Sequence, residues 1–187
     1  FLFTVFGPSY GFVNLTFEFV LLPLAIVAMF AGSITAIFQT NAKRLFAYSS
    51  VAQLGYMMLG VALSNIPGLM ATILHIFNHA LMKGALFMAL GCVMYRLGTV
   101  SLGSMKGLGR SMPWTMGALI LGGLSLIGVP GTVGFISKWH LVLGTLEAGF
   151  WPIAILIVAS SLLAVIYIWR IVEVAYLEQG INQEKTL

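Results

Sequence analysis

Apolar stretches long enough to cross a bilayer follow one another along this chain almost without pause, and that succession limits what it can fold into. A spanning helix needs about 20 predominantly apolar residues. Such stretches cover roughly 14–38, 44–63, 69–95 and 151–177, and another, 114–145, is interrupted by "GVPGTVG". Of the 187 residues 60% are hydrophobic and 7% charged, whereas a soluble domain carries roughly 25% charged residues. No packed core of this size could hide so much apolar surface, so lipid is the solvent for most of it. The fold class read from this pattern is all-α and polytopic. It is one membrane domain over 1–187, with about five transmembrane helices, one of them broken. Residues 1–10 read as the tail of a preceding helix, and 178–187 as a tail beyond the last span. The chain opens at Phe1, inside apolar sequence and without an initiator methionine, so it reads as a piece of something longer.

The charges set orientation and exclude other classes. Nine Lys and Arg against five acidic residues give +4, but they form no basic patch with interleaved aromatics, so no nucleic-acid partner is read from them. The single Cys92 excludes an internal disulfide and a CxxC metal or iron–sulfur site, and aspartate is absent. No cofactor, metal or catalytic set is read anywhere in the chain. Lys43 and Arg44 precede the second span; Arg96, Lys106 and Arg110 follow the third; Arg170 and Lys185 lie near the end of the last. One crossing per stretch, with 114–145 counted once, puts all seven on one side, which the positive-inside rule makes cytoplasmic.

Nine minus seven leaves Lys83 and Lys138, both at membrane depth. An intramembrane lysine costs at least ~2.5 kcal/mol on insertion scales and marks an ion pathway or a paired site. Lys83 belongs to "HIFNHALMKGALF", where His75, His79 and Lys83 recur every four residues, about 6 Å apart along a helix at ~1.5 Å rise per residue. One reading is a proton relay, since histidine titrates near neutrality and a neighbouring charge can tip whether a buried amine holds its proton. Other readings are polar residues, Asn78 among them, bonded into a bundle interior, or a zinc pair that lacks its third ligand.

Lys138 belongs to "SLIGVPGTVGFISKWH", 125–140. Gly128, Pro130, Gly131 and Gly134 predict a broken helix, because Pro130 removes an N–H and crowds the preceding turn. Unwound backbone at this depth needs protein or a water-filled cavity around it, and transporters build ion sites at such breaks. A plain kink is the simpler reading; Lys138, Ser137 and His140 just beyond it favour a functional one. In "NAKRLFAYSSVAQLGY", Tyr48, Ser49, Ser50, Gln53 and Tyr56 give the second span a polar side, either as glue between helices or as the lining of a hydrated path. A relay of cations without a carboxylate is incomplete, so the missing Glu or Asp is expected elsewhere in a longer protein.

The segments "AKRLFAYSSVAQLGYMMLG", "HIFNHALMKGALF" and "GVPGTVGFISKWHLVL" resemble the antiporter-like membrane subunits of NADH–quinone oxidoreductase (complex I), Mrp-type cation/proton antiporters and membrane-bound hydrogenases. The likeness covers nearly the whole chain, with three motifs in the expected order. It implies most of the second of two inverted five-helix repeats in a subunit of about fourteen helices. By resemblance Lys83 corresponds to a lysine of the eleventh helix, and Lys138 to the charged residue of the broken twelfth. Gln53 stands where some relatives have His. "MPWTMGALILGGLSLIGVPGTVGFISKW" looks most like the D subunit of Mrp-type antiporters. The resemblance implies proton translocation, and with the residues read above the expected path is Lys83, Lys138, His75, His79, Gln53, Ser49, Ser50 and His140. Other membrane subunits are the implied partners, with protons and sodium or potassium as the transported ions. The alternative is a proton-pumping subunit of a redox complex, and a purely structural scaffold is a third reading.

Overall fold

The structure, a computed structural model, describes residues 17–178. The expectations for 1–10 and for the tail from 179 onward, including Lys185, lie outside the described residues. The chain forms α1 (Phe17–Ile37), α2 (Ala42–Ala62), α3 (Ile66–Leu97), a short helix α4 (Leu108–Ser111), α5 (Pro113–Ile127), α6 (Val133–Glu147) and α7 (Trp151–Val172). A 3₁₀ turn precedes α4, and a π turn, Glu173–Leu177, extends α7. Among the described residues four helices are long and apolar enough to cross a membrane, and α5 is a shorter apolar helix. With α5 and α6 as the two halves of the interrupted stretch, the anticipated architecture is present. The chain is a multi-pass membrane protein.

Local chemistry sets the boundaries. Asn41 starts α2 by accepting from Lys43 N at 3.0 Å, and Asn65 starts α3 by accepting from Gly68 N at 2.9 Å. Gly98 ends α3 in the left-handed region at φ 70°, where an L side chain would be strained. Pro113 and Pro152 open α5 and α7 at positions where a missing N–H is harmless. Pro23 lies within α1, which continues through it.

The outer faces carry exposed large apolar side chains, such as Phe19, Phe77, Leu121 and Trp151, as lipid-facing helices must. Small residues bring α1 and α2 together: a Cβ on Gly55 would meet the Ala25 carbonyl at 2.8 Å.

The ends of the bundle are distinct. At one end Ala42 N donates to Val100 O, Leu102 N to Thr40 O and Gly107 N to Val174 O. Arg170 Nη1 reaches the carbonyls of Ile37 and Gln39 at 2.9 and 3.2 Å. These contacts join the segments 40–42, 100–107 and 170–174, which lie next to Lys43, Arg44, Lys106 and Arg170 in the chain. At the other end Asn65 Nδ2 donates to Gly144 O at 2.6 Å. Two apolar clusters fill the interior, one around Phe46, Leu86 and Tyr167, the other around Met29, Leu59 and Leu141.

Candidate proton pathway

The break between α5 and α6 is the first element of the site. Gly128 caps α5 at φ 90° and Gly131 turns at φ 91°, so the helix stops for five residues. Pro130 sits exposed in that gap. Gly134 falls within the first turn of α6 rather than in the gap. Its requirement is close approach, since a Cβ there would collide with the Ser125 carbonyl. Interrupting a helix frees carbonyls that have no partner within it. Lys138 takes two of them: its Nζ donates to Leu126 O at 2.8 Å and Ile127 O at 2.9 Å, with a third bond to Ser161 Oγ at 3.0 Å. The ammonium also lies 4.6 Å from the centre of the Tyr56 ring, a cation–π distance. Asn78 secures the other side of the break by donating to Val133 O at 2.7 Å.

Lys83, on α3, is buried against α2. Its Nζ donates to Phe46 O and Ser49 Oγ, both at 2.5 Å. Among the described residues neither lysine meets a carboxylate. The one ion pair among the described residues, Lys106 to Glu178 at 2.8 Å, is solvent-exposed at the basic end.

Between the lysines stands His75, buried where α2, α3 and α6 meet. Its Nδ1 is 2.8 Å from Ser137 Oγ and its Nε2 is 2.8 Å from Gln53 Oε1. Both protonation states suit this geometry. In the neutral ring Nε2–H donates to Gln53 and Nδ1 accepts from the Ser137 hydroxyl. In the imidazolium Nδ1–H donates to Ser137, whose own proton turns to the Gly134 carbonyl at 3.2 Å. A ring that keeps good partners on both sides in either state can gain or lose a proton without rebuilding its surroundings. His79 stacks on His75 with ring centres 6.5 Å apart and planes at 15°, and its Nε2 is buried without a partner.

The structure joins Lys83 to Ser49, His75 to Gln53 and Ser137, and Lys138 to the break. Ser50 donates to Phe46 O at 3.2 Å, the carbonyl that also accepts from Lys83 Nζ, and one expected residue lies apart. His140 has a buried Nδ1 with no partner and makes no bond to this network. The zinc reading gains no third ligand: no group of three or more His, Cys, Asp or Glu comes together among the described residues. Sequence reasoning overlooked Ser160, Ser161 and Tyr167. Tyr56 Oη donates to Ser160 Oγ at 3.0 Å, Ser161 accepts from Lys138, and Tyr167 is fully buried. The available signal was a serine pair in an aliphatic span, with a tyrosine two helical turns beyond the first of them.

Residues 1–164 match the profile of a transmembrane family described as NADH:quinone oxidoreductase/Mrp antiporter. Subunit N of the NADH-quinone oxidoreductase of Desulforudis audaxviator is 46% identical over 155 residues, covering 83% of this chain and 31% of that protein. A chain in the structure of the Mrp complex from Dietzia sp. DQ12-45-1b superposes with a TM-score of 0.83 at 30% identity, covering 90% of this chain and 32% of its own length. A chain of Thermus thermophilus respiratory complex I with bound NADH gives a TM-score of 0.83 at 26% identity, with 97% and 37% covered. The chain thus spans about a third of the length of the relatives it matches.

Proposed function

The chain belongs to the NADH:quinone oxidoreductase/Mrp antiporter transmembrane family, and from that premise we propose that it carries protons through a membrane subunit along its buried lysines and His75. The observation that carries this reading is the pair of buried lysine ammoniums, each held by oxygens with no acidic partner among the described residues, together with an imidazole bonded on both sides between them. A permanent ion pair would lock a charge in place; neutral oxygen partners let an amine release its proton and remain bonded. Charges in a low-dielectric interior also interact over long distances, so the state of Lys138 biases that of Lys83.

In this reading the assembly is a multisubunit monovalent cation/proton antiporter. The protein's partners are other membrane subunits, sodium or potassium is the counter-ion, and the carboxylate the relay needs lies outside this chain. Lys43, Arg44, Arg96, Lys106, Arg110 and Arg170 face the cytoplasm by the positive-inside rule. A second reading, favoured by 46% identity to an NADH-quinone oxidoreductase subunit N, is that redox chemistry in a partner subunit drives the same proton path. The deciding measurement is proton translocation by the full-length subunit in its complete complex, reconstituted in vesicles. Lys138→Ala should abolish it, and an unchanged rate would overturn the proposal. Transport that requires a quinone and a reductant would select the second reading over the first. Labelling of a cysteine at Lys106 from the cytoplasmic side alone would support the orientation.

A further inference from the structure

The Lys138 ammonium sits at membrane depth, where a charge needs compensation, and among the described residues no carboxylate supplies it. All three of its N–H groups are engaged, two with Leu126 O and Ile127 O and one with Ser161 Oγ. Beside these bonds the charge faces the ring of Tyr56, whose centre lies 4.6 Å from Nζ. The negative face of an aromatic ring attracts a cation most strongly where water is excluded, and Tyr56 is buried. The same ring adjoins His75, centre to centre at 5.9 Å with planes 67° apart. One side chain of α2 therefore borders both protonatable groups.

The hydroxyl of Tyr56 continues the Lys138 bonds in one direction. Tyr56 Oη donates to Ser160 Oγ at 3.0 Å, and Ser160 Oγ donates to Met29 O at 3.3 Å. With its proton committed to Ser160, Tyr56 Oη accepts at 3.3 Å from Ser161, whose own oxygen accepts from Lys138. The run passes from Lys138 through Ser161, Tyr56 and Ser160 to Met29 O, and each hydroxyl turns its oxygen toward the ammonium. Hydrogen bonds aligned in this way polarise one another, so the run answers a charge on Nζ as a row of dipoles. A phenylalanine would fill the volume of Tyr56, but the run would then stop at Ser161.

We propose that Tyr56 is a positioning residue for Lys138: its ring faces the ammonium where an acidic partner would otherwise stand, and its hydroxyl aligns Ser161 and Ser160 on the charge. The proposal rests on the proton-carrying function above and adds to it the group that lets Lys138 hold a proton without an ion pair. A ring and two serines hold an ammonium less firmly than a carboxylate at contact distance, so the proton stays available for transfer. Weakening the ring's attraction leaves Lys138 less able to take up a proton at the break, and slows every cycle that passes through it.

The test uses the full-length subunit in its assembled complex in vesicles. Tyr56→Phe keeps the ring, deletes the hydroxyl and should lower proton translocation several-fold. Phenylalanine carrying one, two and then three ring fluorines at position 56 keeps the bulk while draining charge from the ring face. Translocation should fall at each step, by about tenfold across the series, as a cation–π contact requires. A rate that is flat or rises across the series would overturn the ring's role, since packing alone is indifferent to the charge on the ring face. A Tyr56→Phe rate equal to wild type would overturn the role of the hydroxyl. Lys138→Ala separates these results from the function itself. Transport at background in that variant, with a flat fluorine series, removes Tyr56 alone, whereas transport retained there removes the proton path on which the proposal rests.

Discussion

Lys138 caps the severed end of the helix before it: its Nζ donates to the Leu126 carbonyl at 2.8 Å, twelve positions back along the chain. The break creates unpaired carbonyls at membrane depth, and the lysine that satisfies them is brought there by the next half-helix. Gly128 makes this possible twice over, through its left-handed φ of 90° and because a Cβ there would press on Lys138 Cδ at 2.9 Å. The same ammonium thus supports the break and carries the charge that a relay needs.

Replacing Lys138 by Met should separate those two roles from bulk. The substitution keeps most of the volume but leaves the Leu126 and Ile127 carbonyls without a donor, at about 1–3 kcal/mol for each buried unsatisfied group. The purified full-length subunit should melt several degrees lower in detergent, and translocation in vesicles should be lost. A melting temperature equal to wild type would show that the cap contributes nothing to stability.

Lys83→Arg should assemble but fail to transport. Guanidinium can still donate to Phe46 O and Ser49 Oγ, yet it stays protonated at any physiological pH and so cannot hand a proton on. The check is a normal yield of complex together with a translocation rate at background.

Gly134→Ala should destabilise through backbone collision. A methyl at that position has no room against the Ser125 carbonyl, which belongs to α5 across the break, and overpacking of this kind costs about 1–3 kcal/mol. Ser125→Ala, which removes only the hydroxyl bonded to Gly134 N at 3.2 Å, should cost less. Thermal denaturation of the two variants ranks them.

Gln53 Oε1 faces His75 Nε2, so on the proposed path its variants should divide by hydrogen bonding. Gln53→Leu removes the acceptor 2.8 Å from Nε2 and should reduce translocation nearly to the level of His75→Leu. Gln53→Glu restores an acceptor at the same reach and should retain most of the activity. Equal rates for Gln53→Leu and wild type would remove Gln53 from the path.

Much of this was legible in sequence. The apolar stretches marked the helices to within a few residues, and charge counting singled out Lys83 and Lys138 because the span count places every other cation on one side. The Gly and Pro of 128–134 announced the break. Less was legible of what the lysines touch. His140 has the right chemistry and neighbourhood in sequence, but among the described residues it makes no bond to the network, whereas Ser50 meets Lys83 at the shared Phe46 carbonyl. Ser160, Ser161 and Tyr167 offered only a serine pair with a tyrosine seven residues beyond Ser160, and hydroxyls in an aliphatic span read as ordinary helix glue.

The sequence by itself determined that the chain lives in a bilayer, how often it crosses and which two charges require a reason. Those properties depend on apolar length and on the desolvation of single residues, which are local. Only the tertiary structure decided that Lys138 takes the carbonyls of the break, that His75 is held between Gln53 and Ser137, and that Tyr56 bonds to Ser160. Each of those is a contact between helices, fixed by crossing geometry and close packing at a scale of tenths of an ångström, and no periodicity along a single helix encodes it.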